Sequence, residues 1–236
     1  MKMRVGAMVA VLSLAAASAA RANLLVNGGL ESTANPKMPD DLIYMSVTKN
    51  TSALPGWKIV SGAVDVVPSS YWQASQGNDS VDLIGTPGVG KISQTFATTP
   101  GTTYFLTFDF SINPEAGPFN EIPTTKQLQV SAMNGSSTLT SQIYQGTVGS
   151  RTKAGMQYTS ESFEFTATGT SSTLVLAALA SLDMPQGKTA SQIYCGPVVD
   201  NLDLEAEVSN PAPEPASLAV LTLGSVAFLK RRRVRS

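Results

Sequence analysis

The chain has 236 residues, 16 Lys and Arg against 17 Asp and Glu, no histidine and one cysteine. With 42% hydrophobic and 14% charged residues it has enough apolar material for a core and is too apolar for a disordered chain. The missing histidine excludes imidazole bases, Ser–His and Cys–His pairs and imidazole zinc ligands; the lone Cys195 excludes an intrachain disulfide framework and Cys-rich metal sites.

In chain order, residues 1–22 carry Lys2 and Arg4, an apolar run from Val5 to Ala20, and the ending Ala20-Arg21-Ala22. This charged, apolar, small-x-small order predicts a secretory signal peptide cleaved before Asn23. The run is short and Ala-rich, unlike a membrane anchor. Residues 23–207 read as one β domain. Tyr104, Leu106, Phe108, Phe110 and Ile112 alternate with Phe105, Thr107, Asp109 and Ser111, a period of two. Ile92-x-Gln94-x-Phe96, Leu128-x-Val130 and Phe163-x-Phe165-x-Ala167 repeat the pattern. Leu174 to Leu182 is apolar on both faces and predicts a central strand. Gly, Pro, Asn and Ser clusters at 36–39, 68–70, 86–90, 99–102, 113–118, 134–137, 169–172 and 185–187 separate the runs. No long helical period and no internal repeat appears, so the expected class is all-β, a sandwich or barrel.

The last strand spans Val198 to Ala206, with Asp200, Leu202 and Leu204 predicted on one face. If it lies beside the first strand, Leu24 to Val26, then Glu31 and Asp200 approach each other. Residues 208–217 hold three prolines and form a linker. The apolar stretch 216–229 is about 21 Å long as a helix, short of the ~30 Å hydrocarbon core. The basic end 230–236 nevertheless fits a stop-transfer helix with its positive end in the cytoplasm.

Among candidate site residues, Trp57 follows Leu54-Pro55-Gly56 at the start of a strand, a position that suits a core aromatic, with a sugar-binding ring as the other reading. Tyr71-Trp72 sits in a Pro- and Ser-rich loop before Gln73 and the Asn78-Asp79 turn. Flat rings flanked by amide and carboxylate groups are what a carbohydrate site needs, and a ring folded over the end of the sandwich is the competing reading. Asp79 and Asp82, like Glu161 and Glu164, are three apart, which on a strand puts them on opposite faces and makes them poor partners for acid–base work. No catalytic residue is assigned, and the chain is expected to be no enzyme. Asn50, Asn78 and Asn134 match the glycosylation acceptor pattern as loop residues. Cys195, before Gly196-Pro197, is expected to be a buried thiol.

The tail resembles the PEP-CTERM sorting signal of Gram-negative bacteria in three parts: Pro213-Glu214-Pro215, the apolar helix, and the basic end with Arg231, Arg232 and Arg233. The resemblance implies an exosortase as processing partner, Glu214 as a recognition element, export across the inner membrane, and a transient membrane anchor. It also implies a destination at the cell surface or in the exopolysaccharide matrix of a biofilm.

The body resembles a second family, choice-of-anchor C, related to a domain of unknown function in plant cell-wall proteins. The ordered blocks are Asn23-Leu-Leu-Val-Asn-Gly-Gly-Leu-Glu31, Leu54-Pro-Gly-Trp57, Ser80-Val-Asp-Leu-Ile-Gly85, Ile92-Ser-Gln-Thr-Phe96, Tyr104-Phe-Leu-Thr-Phe108 and Cys195-Gly-Pro-Val-Val-Asp-Asn-Leu202. Leu30 stands where an aromatic is usual, and Cys195 lacks a partner cysteine. The resemblance implies a galactose-binding-like jelly-roll β-sandwich akin to carbohydrate-binding modules; together with the candidate residues Tyr71, Trp72, Gln73 and Trp57 it leads to the expectation of a polysaccharide or cell-surface glycan as partner. It implies a structural Ca²⁺ between Glu31 and Asp200, a cap or surface salt bridge being the alternative for these two acids. A structural or adhesion protein that binds protein partners or itself is the second reading, and a glycan-active enzyme the third.

The overall charge hides a division. Residues 23–207 hold eight of the cations and sixteen of the acids, a net charge of −8. That charge argues against nucleic acid as a partner and favours a neutral glycan, a calcium-bridged glycan or a protein surface.

Overall fold

The computed structural model describes residues 22–33, 43–46, 52–85, 88–116, 125–179 and 194–207. The predicted signal peptide up to Arg21, the turns at 36–39 and 185–187, the linker at 208–217, and the sorting residues Pro213, Glu214, Pro215, Arg231, Arg232 and Arg233 lie outside the described residues. Among the described residues, no helix is long and apolar enough to cross a membrane.

Thirteen strands are described: β1 (Ile43–Ser46), β2 (Lys58–Ser61), β3 (Ala63–Pro68), β4 (Asp79–Asp82), β5 (Ile84–Gly85), β6 (Gly88–Val89), β7 (Lys91–Ala97), β8 (Thr103–Ile112), β9 (Thr125–Asn134), β10 (Ser137–Thr147), β11 (Thr159–Thr166), β12 (Ser171–Leu179) and β13 (Pro197–Ala206). One 3₁₀ turn, Pro114–Ala116, follows β8. The six-stranded sheet has the order β1-β3-β4-β13-β8-β11, the five-stranded sheet the order β10-β9-β12-β7-β2, and β5-β6 form a hairpin. The chain changes sheet between β2 and β3, returns at β7, crosses to β8 and back to β9, and alternates again through β11, β12 and β13. This is a jelly-roll β-sandwich, as expected.

Period two explains the core. Along β8, Tyr104, Leu106, Phe108, Phe110 and Ile112 point inward, and β9 and β12 answer from the other sheet with Leu128, Val130, Leu174 and Leu176. Tyr104 stacks on Phe165 with ring centroids 5.3 Å apart, and Phe108 meets Tyr144 edge-on at 5.0 Å. β12 lies between β9 and β7 and is buried on both faces over Leu174–Ala178, the central strand that its uninterrupted apolar run predicts.

Three sequence readings need correction. Residues Leu24 to Val26 run beside the last strand without forming one, because Asn27 and Leu30 take φ of 55° and 54° and turn the segment. Side chains stand in for a ladder. The Asn23 Oδ1 accepts from Leu25 N and Leu204 N, and Gln94 exchanges two bonds with the Val26 backbone at 2.6 and 2.9 Å. Second, Asp200 does not share a face with Leu202 and Leu204. A bulge between Asp200 and Asp203, with Asn201 at φ 51°, shifts the register, so Val199, Leu202 and Leu204 enter the main core. Asp200 is left facing outward, in phase with Val198. Third, β10 is an eleven-residue strand that the turn-and-period pattern does not mark out.

Candidate functional site

The outer face of the six-stranded sheet is not bare. Val67 of β3 and Val198 of β13 project from it and pack with Trp72 and Met156 in a second, smaller apolar cluster, with Tyr71 and Tyr158 at its rim. Two loops make this cover. The first, 69–78, leaves β3 at Pro68, whose carbonyl accepts from Tyr71 N at 2.8 Å; the bond from Ser69 N to Asn78 O closes its base. The second, 148–158, is fastened by Arg151, which donates to Ser111 Oγ at 3.2 Å and to the Thr147 carbonyl at 2.6 Å.

Trp72 is 2% exposed, and its indole N–H donates to Ser80 Oγ at 2.8 Å. It is the anchor of the loop and the floor of the depression above it, and this corrects the expectation of Trp72 as a sugar-stacking ring. Two adjacent aromatics in one loop can be buried together here because the sheet offers a second apolar patch. Trp57 is 3% exposed in the main core and donates to the Asn27 carbonyl at 3.0 Å, so it too is a packing residue and lies out of reach of a surface ligand. Gln73 links the two loops: its N–H donates to Lys153 O at 2.8 Å and its carbonyl accepts from the Tyr158 hydroxyl at 3.2 Å.

Tyr71 is half-buried, edge-on to Trp72 at 5.7 Å. Its hydroxyl donates to Glu115 Oε2 at 2.7 Å, and the Lys153 ammonium sits 3.6 Å from its ring centroid and 3.0 Å from Glu115 Oε1. Burial and the Glu115 carboxylate raise the phenol pKa. A pocket of about 460 Å³ opens here, lined by Ser69, Ser70, Tyr71, Gln73 and Lys153, with Trp72 beneath. Sequence reading reaches Tyr71 and Gln73 but not Lys153 or Glu115. These two sit in other loops, and no local pattern signals them.

Glu31 and Asp200 do converge, on the far side of the same loop. Glu31 Oε1 accepts from Asn78 N at 2.8 Å and from Asp79 N at 3.4 Å. Asp200, fully buried, accepts from Ser75 N, Gln76 N and Asn201 N. Burial, augmented by the charge of Glu31, outweighs these bonds and pushes the Asp200 carboxyl up to about 7. Gly77, at φ 66°, brings the loop so close that a Cβ there would lie 1.9 Å from Glu31 Oε1. Calcium needs six to eight oxygens turned toward one point. These carboxylates turn toward N–H donors instead, and no group of three acidic or sulfur ligands fit for a metal exists among the described residues. The pair fits the role of loop anchor and does not fit a calcium site.

A second buried acid, Asp82, accepts from Ile84 N, Gly196 N and Asn113 Nδ2, and burial pushes its pKa up to about 7. Cys195 is partly buried at φ 63°, and burial pushes its thiol up to about 12.

Comparison with known proteins gives one family match. The model described as "Protein of unknown function (DUF642)" matches residues 23–205. Halomucin of Haloquadratum walsbyi (strain DSM 16790 / HBSQ001) is 35% identical over 102 residues, which are 43% of this chain and 1% of that protein. The chain thus spans about 1% of the length of the curated relative it matches. Among solved structures, an arabinose-bound α-L-arabinofuranosidase aligns with TM-score 0.49 and 14% identity over 79% of this chain and 26% of its own. The module TmCBM61 in complex with β-1,4-galactotriose aligns with TM-score 0.40 and 11% identity over 79% of this chain and 99% of its own. A family 35 carbohydrate binding module from Clostridium thermocellum aligns with TM-score 0.37 and 13% identity, over 70% and 91% of the two chains.

Proposed function

This chain belongs to the DUF642 family, and on that footing we propose that it is a non-catalytic glycan-binding domain whose site is the pocket between loop 69–78 and Lys153. The observation that carries the reading is the pocket itself. It measures about 460 Å³, within the range of small-molecule sites, and sets two serines, Gln73 and Lys153 around the half-buried edge of Tyr71. Sugars are recognised by such sets of donors and acceptors beside an aromatic body. The ligand is a neutral glycan. The domain is acidic as a whole, and Lys153, the one cation lining the pocket among the described residues, is already neutralised by Glu115. Glu115, outside the lining, is held by both Lys153 and Tyr71 and fixes these two lining groups, which suits a positioning role rather than that of a proton carrier.

In this reading the signal peptide exports the chain from a Gram-negative cell. The tail with Pro213-Glu214-Pro215 presents it to an exosortase, and the domain then works at the cell surface or in an exopolysaccharide matrix. The test is retention of the protein on immobilised polysaccharides and on a glycan array. Lys153→Ala and Tyr71→Ala are expected to lose retention, and failure of the unaltered chain to retain any glycan would overturn the proposal. The alternative, a structural role through protein contacts, is favoured by one observation, the long uncharged edge strand β10.

A further inference from the structure

Sheets end in edges, and an edge strand offers unpaired backbone N–H and C=O groups to any other strand; proteins that stay single guard such edges with charge, brevity or cover. The described edges here are guarded unequally. In the six-stranded sheet, β1 has four residues and β11 carries Glu161 and Glu164. In the five-stranded sheet, β2 has four residues and starts with Lys58. The opposite edge, β10, runs for eleven residues, Ser-Thr-Leu-Thr-Ser-Gln-Ile-Tyr-Gln-Gly-Thr, without one charged residue or proline; its register shifts between Thr138 and Thr140, and from Thr140 to Thr147 it is regular. Among the described residues it pairs with β9 on one side only, most of its side chains are exposed, and Ile143 is 52% exposed.

We propose that β10 is a docking edge for β10 of a second copy of this chain, paired antiparallel about a two-fold axis near Gln142, so that two five-stranded sheets join across the dimer. The occupant follows from charge and symmetry. Two domains each carrying −8 repel over most of their surface, and β10 itself adds no charge to a contact along its edge, Glu161 of β11 being an acid that acts on its Tyr144 from the other sheet. The sequence is self-complementary in that arrangement. With Gln142 opposite its own copy, Ser141 faces Ile143 of the partner subunit on the outer side of the sheet, and the two isoleucines lie on the diagonal within reach of each other. Each exposed Ile143 is thereby covered. The neighbouring outward side chains, Ser131 and Ser141 joined at 3.0 Å and Gln127 and Gln145 joined at 2.9 Å, are neutral and leave the new contact free of desolvated charge.

The inference deepens the structural reading above and is independent of the glycan pocket, which lies on the outer face of the other sheet. The experiment is sedimentation equilibrium of the full chain over a rising concentration series, beside Ile143→Lys, Ser141→Lys and, as control, Thr95→Lys. Thr95 is exposed on an interior strand of the same sheet, so its lysine adds the same charge away from the edge. The expected result is a dimer for the unaltered chain and for Thr95→Lys, and a monomer for both β10 variants, which keep the far-UV circular dichroism of the folded chain and lose only the part of Tm that dimerisation adds. A monomer at every concentration for the unaltered chain would overturn the proposal. So would self-association that persists in both β10 variants, which would place the contact elsewhere, in the apolar tail for example. Glycan retention measured on the same samples fails or survives separately.

Discussion

Replacing Trp72 by alanine separates a packing role from a ligand-stacking one. The ring is 2% exposed, and among the described residues its small cluster has Val67, Met156 and Val198 as further buried members. Aromatic-to-alanine changes in cores cost about 3–5 kcal/mol, and loops that can partly collapse onto the gap put this one toward the lower end. The indole N–H also donates to the fully buried Ser80 Oγ at 2.8 Å, and losing that bond, with Tyr158 remaining as a partner of Ser80, adds up to about 1 kcal/mol. A total of about 3–4 kcal/mol corresponds to a fall in Tm of roughly 6–16 °C for a domain of this size. Trp72→Phe keeps most of the packing and is expected to lose about 1–2 kcal/mol. Urea titrations followed by circular dichroism give both values, and the fluorescence of the alanine variant reports Trp57 alone. Loss of glycan retention with no change in the urea midpoint would refute the reasoning, because it would mean that Trp72 serves a ligand and not the fold.

The pH dependence has a definite sign. Asp82 and Asp200 titrate at about 7 in the folded chain, above the ordinary carboxylate value near 4, so the folded state holds protons that the unfolded chain has released. Their contribution is therefore fullest below about 4 and is lost as pH rises toward about 7; Tm is expected to be higher at mildly acidic pH than at alkaline pH, and a Tm that falls steadily on acidification from neutrality would contradict this. Lys126→Met is expected to stabilise the fold by about 1–3 kcal/mol. The Lys126 ammonium is buried without a hydrogen-bond partner and its pKa is pushed down to about 8, so a lower urea midpoint in this variant would show that the ammonium has a stabilising role. Removing calcium with a chelator is expected to leave Tm unchanged, since Glu31 and Asp200 are engaged by backbone N–H groups; a clear drop would restore the metal reading.

The strands that face the core were legible because burial on one side imprints a period of two. β7, β8, β9 and β11 lie where the alternation puts them, and β12 where the unbroken apolar run does. β10 was not legible, since a solvated edge strand of Ser, Thr and Gln has nothing to alternate. The bulge in β13 was hidden for another reason. A single residue at positive φ reverses which face every later side chain takes, and Asn201 gives no warning of it in sequence. Of the candidate site, the convergence of Glu31 with Asp200 was foreseeable from the meeting of the first and last segments. Burial of Trp72 was not, because it depends on a second apolar patch built from Val67 and Val198 in strands far apart in the chain. Lys153 and Glu115 reach Tyr71 only through the folded loops.

β13 is the last strand of the sandwich, yet it occupies the middle of its sheet between β4 and β8 and holds the opening segment through Asn23 and Leu24. A chain that emerges N-terminus first, from a ribosome or through a membrane, therefore carries a six-stranded sheet with a gap at its centre until nearly everything else has appeared. The contact between Asn23 and Leu204 spans 181 residues, and contacts of that separation are entropically the most expensive to close. The fold is thus committed late, by its own closing piece.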